Sequence, residues 1–209
     1  DALDAHGLLL FRRQQLRPED HVRMARLFGD VFPLPPRYQH QRSPHPTRIL
    51  RMSNAAEEGF TDVGTHGWHI DGTSYARPFQ LALLHIQPST LMASTLFLRL
   101  RPLAEYIRTQ RPEWQRISLD CGRADAPVLH PLLYAHPRTR QPAVCLGKTR
   151  GAVWRGDSLS EPSAATVASE KEERGTALNS MQTDALLAEL RGYVEALSGS
   201  AGRARQVYR

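Results

Sequence analysis

Pro33, Pro35, Pro36, Pro44 and Pro46 crowd one stretch of this 209-residue chain. Each lacks an amide proton and fixes its own φ, so neither a helix nor a sheet ladder can run through. Residues 33–47 therefore read as a loop, and regular structure must be assembled from short pieces on either side of it. Runs of strand length occur at 8–11, 48–52, 67–71, 79–87, 128–134 and 143–146. Three segments carry helix signals. Pro18 at a first helical position, Glu19 and Asp20 in the first turn and Gly29 after Phe28 bound the first, with Val22, Ala25 and Phe28 on its core side. Pro102 opens the second, which reaches Gln110. Thr183 is placed to cap the third over 183–197, where Leu186, Leu187, Leu190, Tyr193, Val194 and Leu197 recur with helical period. Residues 155–180, rich in Ser, Glu, Ala and Thr without periodicity, read as a flexible insertion. The expectation is one domain over 1–209, mainly β with flanking helices (α+β), in the manner of a sandwich or jelly roll.

Composition narrows the partners. No apolar run approaches the length of a membrane-spanning helix, no basic segment leads into an apolar one as in a secretory signal, and Cys121 and Cys145 are too few for a disulfide framework. A reducing, cytoplasmic setting fits, with no membrane partner. The formal charge is +6 and almost every cation is an arginine, Lys148 and Lys171 being the only lysines. Those arginines are scattered, and pairs such as Arg12-Arg13 or Arg203-x-Arg205 are too short for a nucleic-acid patch. A small anionic substrate is the more economical use of such a field. Self-association stays open.

Chemistry enters with His69-Ile70-Asp71. Side chains two apart on an extended strand share a face, so an imidazole and a carboxylate can address one metal ion while Ile70 turns away. One further His would complete a 2-His-1-carboxylate triad, the donor set of mononuclear Fe(II) oxygenases. The same spacing also suits a half-buried strand whose His and Asp pair with each other or with backbone. No phosphate-binding loop, dinucleotide fingerprint or hydrolase nucleophile context competes with this site.

Other blocks fall in order around that segment. Gly7-Leu8-Leu9-Leu10-Phe11-Arg12 precedes Leu16-Arg17-Pro18-Glu19-Asp20-His21 and Phe28-Gly29; Trp68-His69-Ile70-Asp71 is followed by Pro78; then come Ser94-Thr95-Leu96-Phe97, His130-Pro131-Leu132-Leu133 and His136-Pro137-Arg138-Thr139. In kind and order these resemble the taurine dioxygenase family of Fe(II)/2-oxoglutarate-dependent oxygenases. The resemblance implies a double-stranded β-helix, Fe(II) held by His69 and Asp71, and 2-oxoglutarate as co-substrate with Thr95 on its carboxylate. It also implies dioxygen as oxidant and Tyr38 and His40 on the substrate side. Ile70 stands where the family has Thr, and Met92-Ala93-Ser94 where it has Gly-Gly-Asp. The family's third ligand His and its carboxylate-clamping Arg follow the helix read here at 183–197, so both are expected beyond Arg209. Asp1 rather than Met opens the chain, and the β-helix is expected to be incomplete at its C-terminus. His130 and His136 lie on the His-Pro strand, which supplies no ligand, while His66 and His85 read as ordinary core or surface histidines.

The function expected is hydroxylation of a small, anionic organic substrate with release of succinate and CO2. The alternatives are an inactive fragment or pseudoenzyme of the same fold that only binds a partner, and a basic nucleic-acid-binding module. With one imidazole and one carboxylate in hand, the 209 residues by themselves should not turn over. Incubated with Fe(II), ascorbate, 2-oxoglutarate and oxygen, they should form no iron-dependent succinate. Succinate that disappears in His69→Ala would place a third ligand within these residues.

Overall fold

The computed structural model of the chain describes residues 2–33, 49–51, 68–87, 95–123, 125–155 and 175–201. They belong to two compact units, one of Asp1–Gly67 with Phe79–Pro88, the other of Trp68–Pro78 with Ser89–Arg209.

In the first unit, helix α1 (Ala2–His6) stops at Gly7, whose φ of 72° only glycine adopts without strain. Helix α2 (Pro18–Arg26) starts on its proline, and Asp20 in its first turn is bridged by Arg17 at 3.0 Å and Arg23 at 2.9 Å. It buries Val22; Phe28, expected on its core side, is exposed. Residues 8–11 and 79–87, expected as strands, are irregular. Their apolar side chains are largely exposed, so apolar content alone supplied no ladder. Residues 79–87 are tied by side chains instead: His21 Nε2 donates to the Leu83 carbonyl at 3.0 Å, and His85 Nε2 to that of Gln14 at 3.4 Å. Phe32 and Phe79 pack with ring centroids 5.0 Å apart.

In the second unit, helix α3 (Arg101–Gln110) and a 3-10 turn (Pro112–Arg116) lead into strand β1 (Ile117–Asp120). Then follow β2 (Leu129–Pro131), β3 (Leu133–Ala135), β4 (Pro142–Val144), β5 (Gly151–Trp154), β6 (Thr176–Ala177) and helix α4 (Ser180–Ala201). One antiparallel sheet runs β2-β1-β5-β6, with Leu119 opposite His130 on one side and Ala152 on the other; β3 and β4 form a second, two-stranded sheet. The architecture is α+β, mixed helix and antiparallel sheet. Leu119, Leu132, Leu103 and Ile107 are fully buried, and Leu186, Leu190 and Val194 of α4 complete the core at helical spacing. Asp120 closes the β1–β2 connection by accepting from the Gly122 and Val128 amides at 2.9 and 3.0 Å.

Several expectations are corrected here. The run 128–134 is two strands, because Leu132 changes sheets: its amide donates to Ile117 O at 2.8 Å, and its carbonyl accepts from Cys145 N at 2.9 Å. The strand expected at 143–146 pairs over Pro142–Val144. Residues 49–51, all that is described of 48–52, are irregular. Helix α4 begins at Ser180, not 183, because Asn179 and Gln182 form a reciprocal capping box with bonds of 2.9 and 3.0 Å. Thr183 lies buried in the first turn rather than at the cap. Of the stretch read as an insertion, 156–174 lie outside the described residues, while Thr176 and Ala177 pair with Trp154 and Val153. Among the described residues no helix is long and apolar enough to cross a membrane.

Helix α4 is held to α3 by a shared carboxylate. Glu189 Oε1 accepts from Arg111 Nε at 2.7 Å and from the Tyr106 hydroxyl at 2.6 Å, and Tyr106 stacks on Tyr193 at 4.3 Å. The Arg111 hydrogen bond, then that of Tyr106, holds the Glu189 carboxyl below its ordinary value of 4.5. A carboxyl depressed in the folded state stabilises above its unfolded pKa and loses that contribution as pH falls through the folded one. Urea unfolding should find the native chain more stable than Glu189→Gln at pH 7, with the difference shrinking as pH falls below about 4.5. A difference that stays constant down to pH 3 would remove the ionised pair from the account.

Candidate metal site

Trp68, half-buried, packs against the core of the second unit and anchors the start of the segment that carries His69 and Asp71. Residues 68–70 are irregular and a turn begins at Asp71, where a strand was expected over 67–71; Gly67 lies outside the described residues. Asp71-Gly72 reverses the chain, with Gly72 at φ 82° and the Tyr75 amide donating to Gly72 O at 3.0 Å. Among the described residues one backbone bond joins it to the rest of the unit, from the Ile70 amide to Leu146 O at 2.7 Å. The turn is nonetheless well seated. Thr73 is buried, its hydroxyl donates to Ile70 O at 3.4 Å, and its carbonyl accepts from Nε2 of buried His130 at 2.8 Å.

His69 and Asp71 do meet. Nε2 of the imidazole lies 3.3 Å from Asp71 Oδ1, with the two side chains 49% and 60% exposed. An ion about 2.1 Å from both atoms would subtend roughly 100° between them, near the right angle of two neighbouring octahedral positions. The nitrogen-oxygen donor set also suits Fe(II). The residues therefore fit two coordination positions, and both lie on the solvent side, where a metal can enter. Among the described residues no group of three or more His, Cys, Asp or Glu is gathered around one point. His130 is spent on Thr73, and His136 Nδ1 accepts from the Thr139 amide at 3.2 Å in the β3–β4 hairpin. His85 belongs to the first unit. Tyr38, His40 and His66 lie outside the described residues, and Thr95 is exposed on the irregular residues 95–100 that lead into α3.

Beneath the turn sit two buried thiols, Cys121 and Cys145. The hydrogen bond between them, with burial added, holds Cys145 protonated well above the ordinary thiol range. The same bond pulls Cys121 down against burial. Both sulfurs are engaged inward and neither is offered to a metal on the surface. Thr73 and Gly147 are residues of this site that the sequence did not point to, and His130 was weighed there only as a metal ligand. The Asp71-Gly72 dipeptide was the available signal for a turn.

Residues 1–90 match the family model described as taurine catabolism dioxygenase TauD, TfdA family. The match takes in His69 and Asp71 and ends before Thr95. No curated protein and no solved structure matches the chain.

Gly147 leaves no room for a side chain: a Cβ there would run into the Thr73 hydroxyl and stand 3.2 Å from Cys121 Sγ. Gly147→Ala should therefore cost about 1–3 kcal/mol in urea unfolding, the usual range for overpacking. An unchanged midpoint would mean that the turn is not pressed on the 146–147 backbone.

Proposed function

We propose that this chain, whose residues 1–90 support a taurine dioxygenase-like family, supplies two iron-ligand side chains to an Fe(II)/2-oxoglutarate-dependent dioxygenase on a double-stranded β-helix, which hydroxylates a small anionic organic substrate with release of succinate and CO2. That family generally uses Fe(II) and 2-oxoglutarate. The observation that carries the reading is the 3.3 Å approach of His69 Nε2 and Asp71 Oδ1 on a buttressed turn inside the matched residues. Fe(II) bound there supplies activation of dioxygen, coupled to oxidation of the keto acid.

The chain's own residues do the rest. His69 offers the lone pair of Nε2, which requires its ring proton on Nδ1, and Asp71 offers one oxygen and a negative charge. Ile70 is pinned through its backbone and keeps the two donors on one side. Thr95 is the hydroxyl proposed to donate to the 2-oxoglutarate carboxylate, and Tyr38 and His40 are the groups proposed on the substrate side. The excess of 27 Lys and Arg over 21 Asp and Glu draws an anionic co-substrate and substrate toward the site.

A binding-only role for the same fold is the second reading, favoured by the way His69 and Asp71 satisfy one another as a pair. Anaerobic equilibrium dialysis separates the two. Iron retained by the chain should rise when 2-oxoglutarate is present and fall about tenfold or more in His69→Ala and in Asp71→Ala, since even losses outside the ligand shell cost that much. Iron retention indifferent to both substitutions would leave the binding-only reading standing.

A further inference from the structure

We propose that His130 is a positioning residue for the His69–Asp71 pair, acting through Thr73; this inference rests on the metal reading above. Asp71 is 60% exposed on a turn beside Gly72, so the pair's geometry depends on the backbone beneath. That backbone is held by three successive hydrogen bonds. His130 Nε2 donates to the Thr73 carbonyl at 2.8 Å, the Thr73 hydroxyl donates to Ile70 O at 3.4 Å, and the Ile70 amide donates to Leu146 O at 2.7 Å.

The first of these is the buried one. His130 is 5% exposed and Thr73 7%, so a Thr73 carbonyl deprived of its donor has no water to turn to. His130 itself is fixed by sheet register, opposite Leu119 at the centre of β1. A rigid strand thus sets the position of a carbonyl two residues after Asp71, across 57 residues of sequence. The bond also fixes the tautomer, since a nitrogen facing a carbonyl must carry the proton. His130 touches neither metal donor. Its effect is to keep the turn from opening, as outer-shell partners of metal ligands do elsewhere.

The test compares His130→Leu, which keeps apolar bulk and removes the donor, with His130→Gln, whose side-chain amide can place an N–H near the lost Nε2. A core variant, Val194→Ala, serves as a control for stability alone. Two quantities are read at a temperature where each protein is folded: exchange protection of the Ile70 amide without metal, and anaerobic Fe(II) retention. His130→Leu should lower Ile70 protection and weaken retention about tenfold. His130→Gln should restore both, and Val194→Ala should change neither. Should His130→Leu not fold, His130→Asn, polar but too short to reach the Thr73 carbonyl, is read in its place. Protection and retention unchanged by loss of the donor overturn the proposal, as does a loss that Val194→Ala reproduces. If the unsubstituted chain retains no iron while Ile70 protection still follows the donor, the metal reading falls and the positioning of the turn stands.

Discussion

Strand β1 has no side to turn to water. It is hydrogen-bonded on one edge to β2 and on the other to β5, and Ile117, Ser118 and Leu119 are all buried. A strand enclosed in this way must be covered on both faces. The apolar stripe of α4 and the Leu103, Ala104 and Ile107 face of α3 belong to the core that does so. The capping box that starts α4 and the Tyr106–Glu189–Arg111 cluster that fastens it are peripheral contributions to the same requirement.

The candidate site draws on this core without being part of it. Its two donors sit half in water on a turn, while the groups that fix the turn, Thr73, His130 and the 146–147 backbone, are buried against the sheet. The division suits metal chemistry. Donor atoms must stay accessible to an incoming ion, yet their separation has to be held to within a fraction of an ångström. Exposed side chains meet the first demand and a buried strand meets the second.

What the sequence disclosed follows the range of the interactions involved. Helices α2 and α3 were marked by prolines at their first turns, and α4 by its apolar period; its start was misplaced because Asn179 and Gln182 cap one another more effectively than Thr183 can. The four-residue strands β1 and β5 held too few residues to establish a period, although Gly122 and Gly151 stand at or near their ends. Conversely, 79–87 is apolar enough for a strand but is tied by His21 and His85 rather than by a ladder. At the site, the shared side of His69 and Asp71 was legible because it is local, though a turn rather than a strand produces it. The contact of Thr73 with His130 was not, since nothing in either neighbourhood names the other.

Leu132 joins the two sheets through a single residue, its amide bonded to β1 and its carbonyl to the end of β4. Peeling either sheet away therefore breaks one of the two bonds on that residue and uncovers a leucine that is fully buried. Local opening confined to one sheet is penalised by the other. The hairpin of β3 and β4, too small to be stable by itself, becomes part of one cooperative unit with the larger sheet, and the two should exchange their protected amides in a single concerted event.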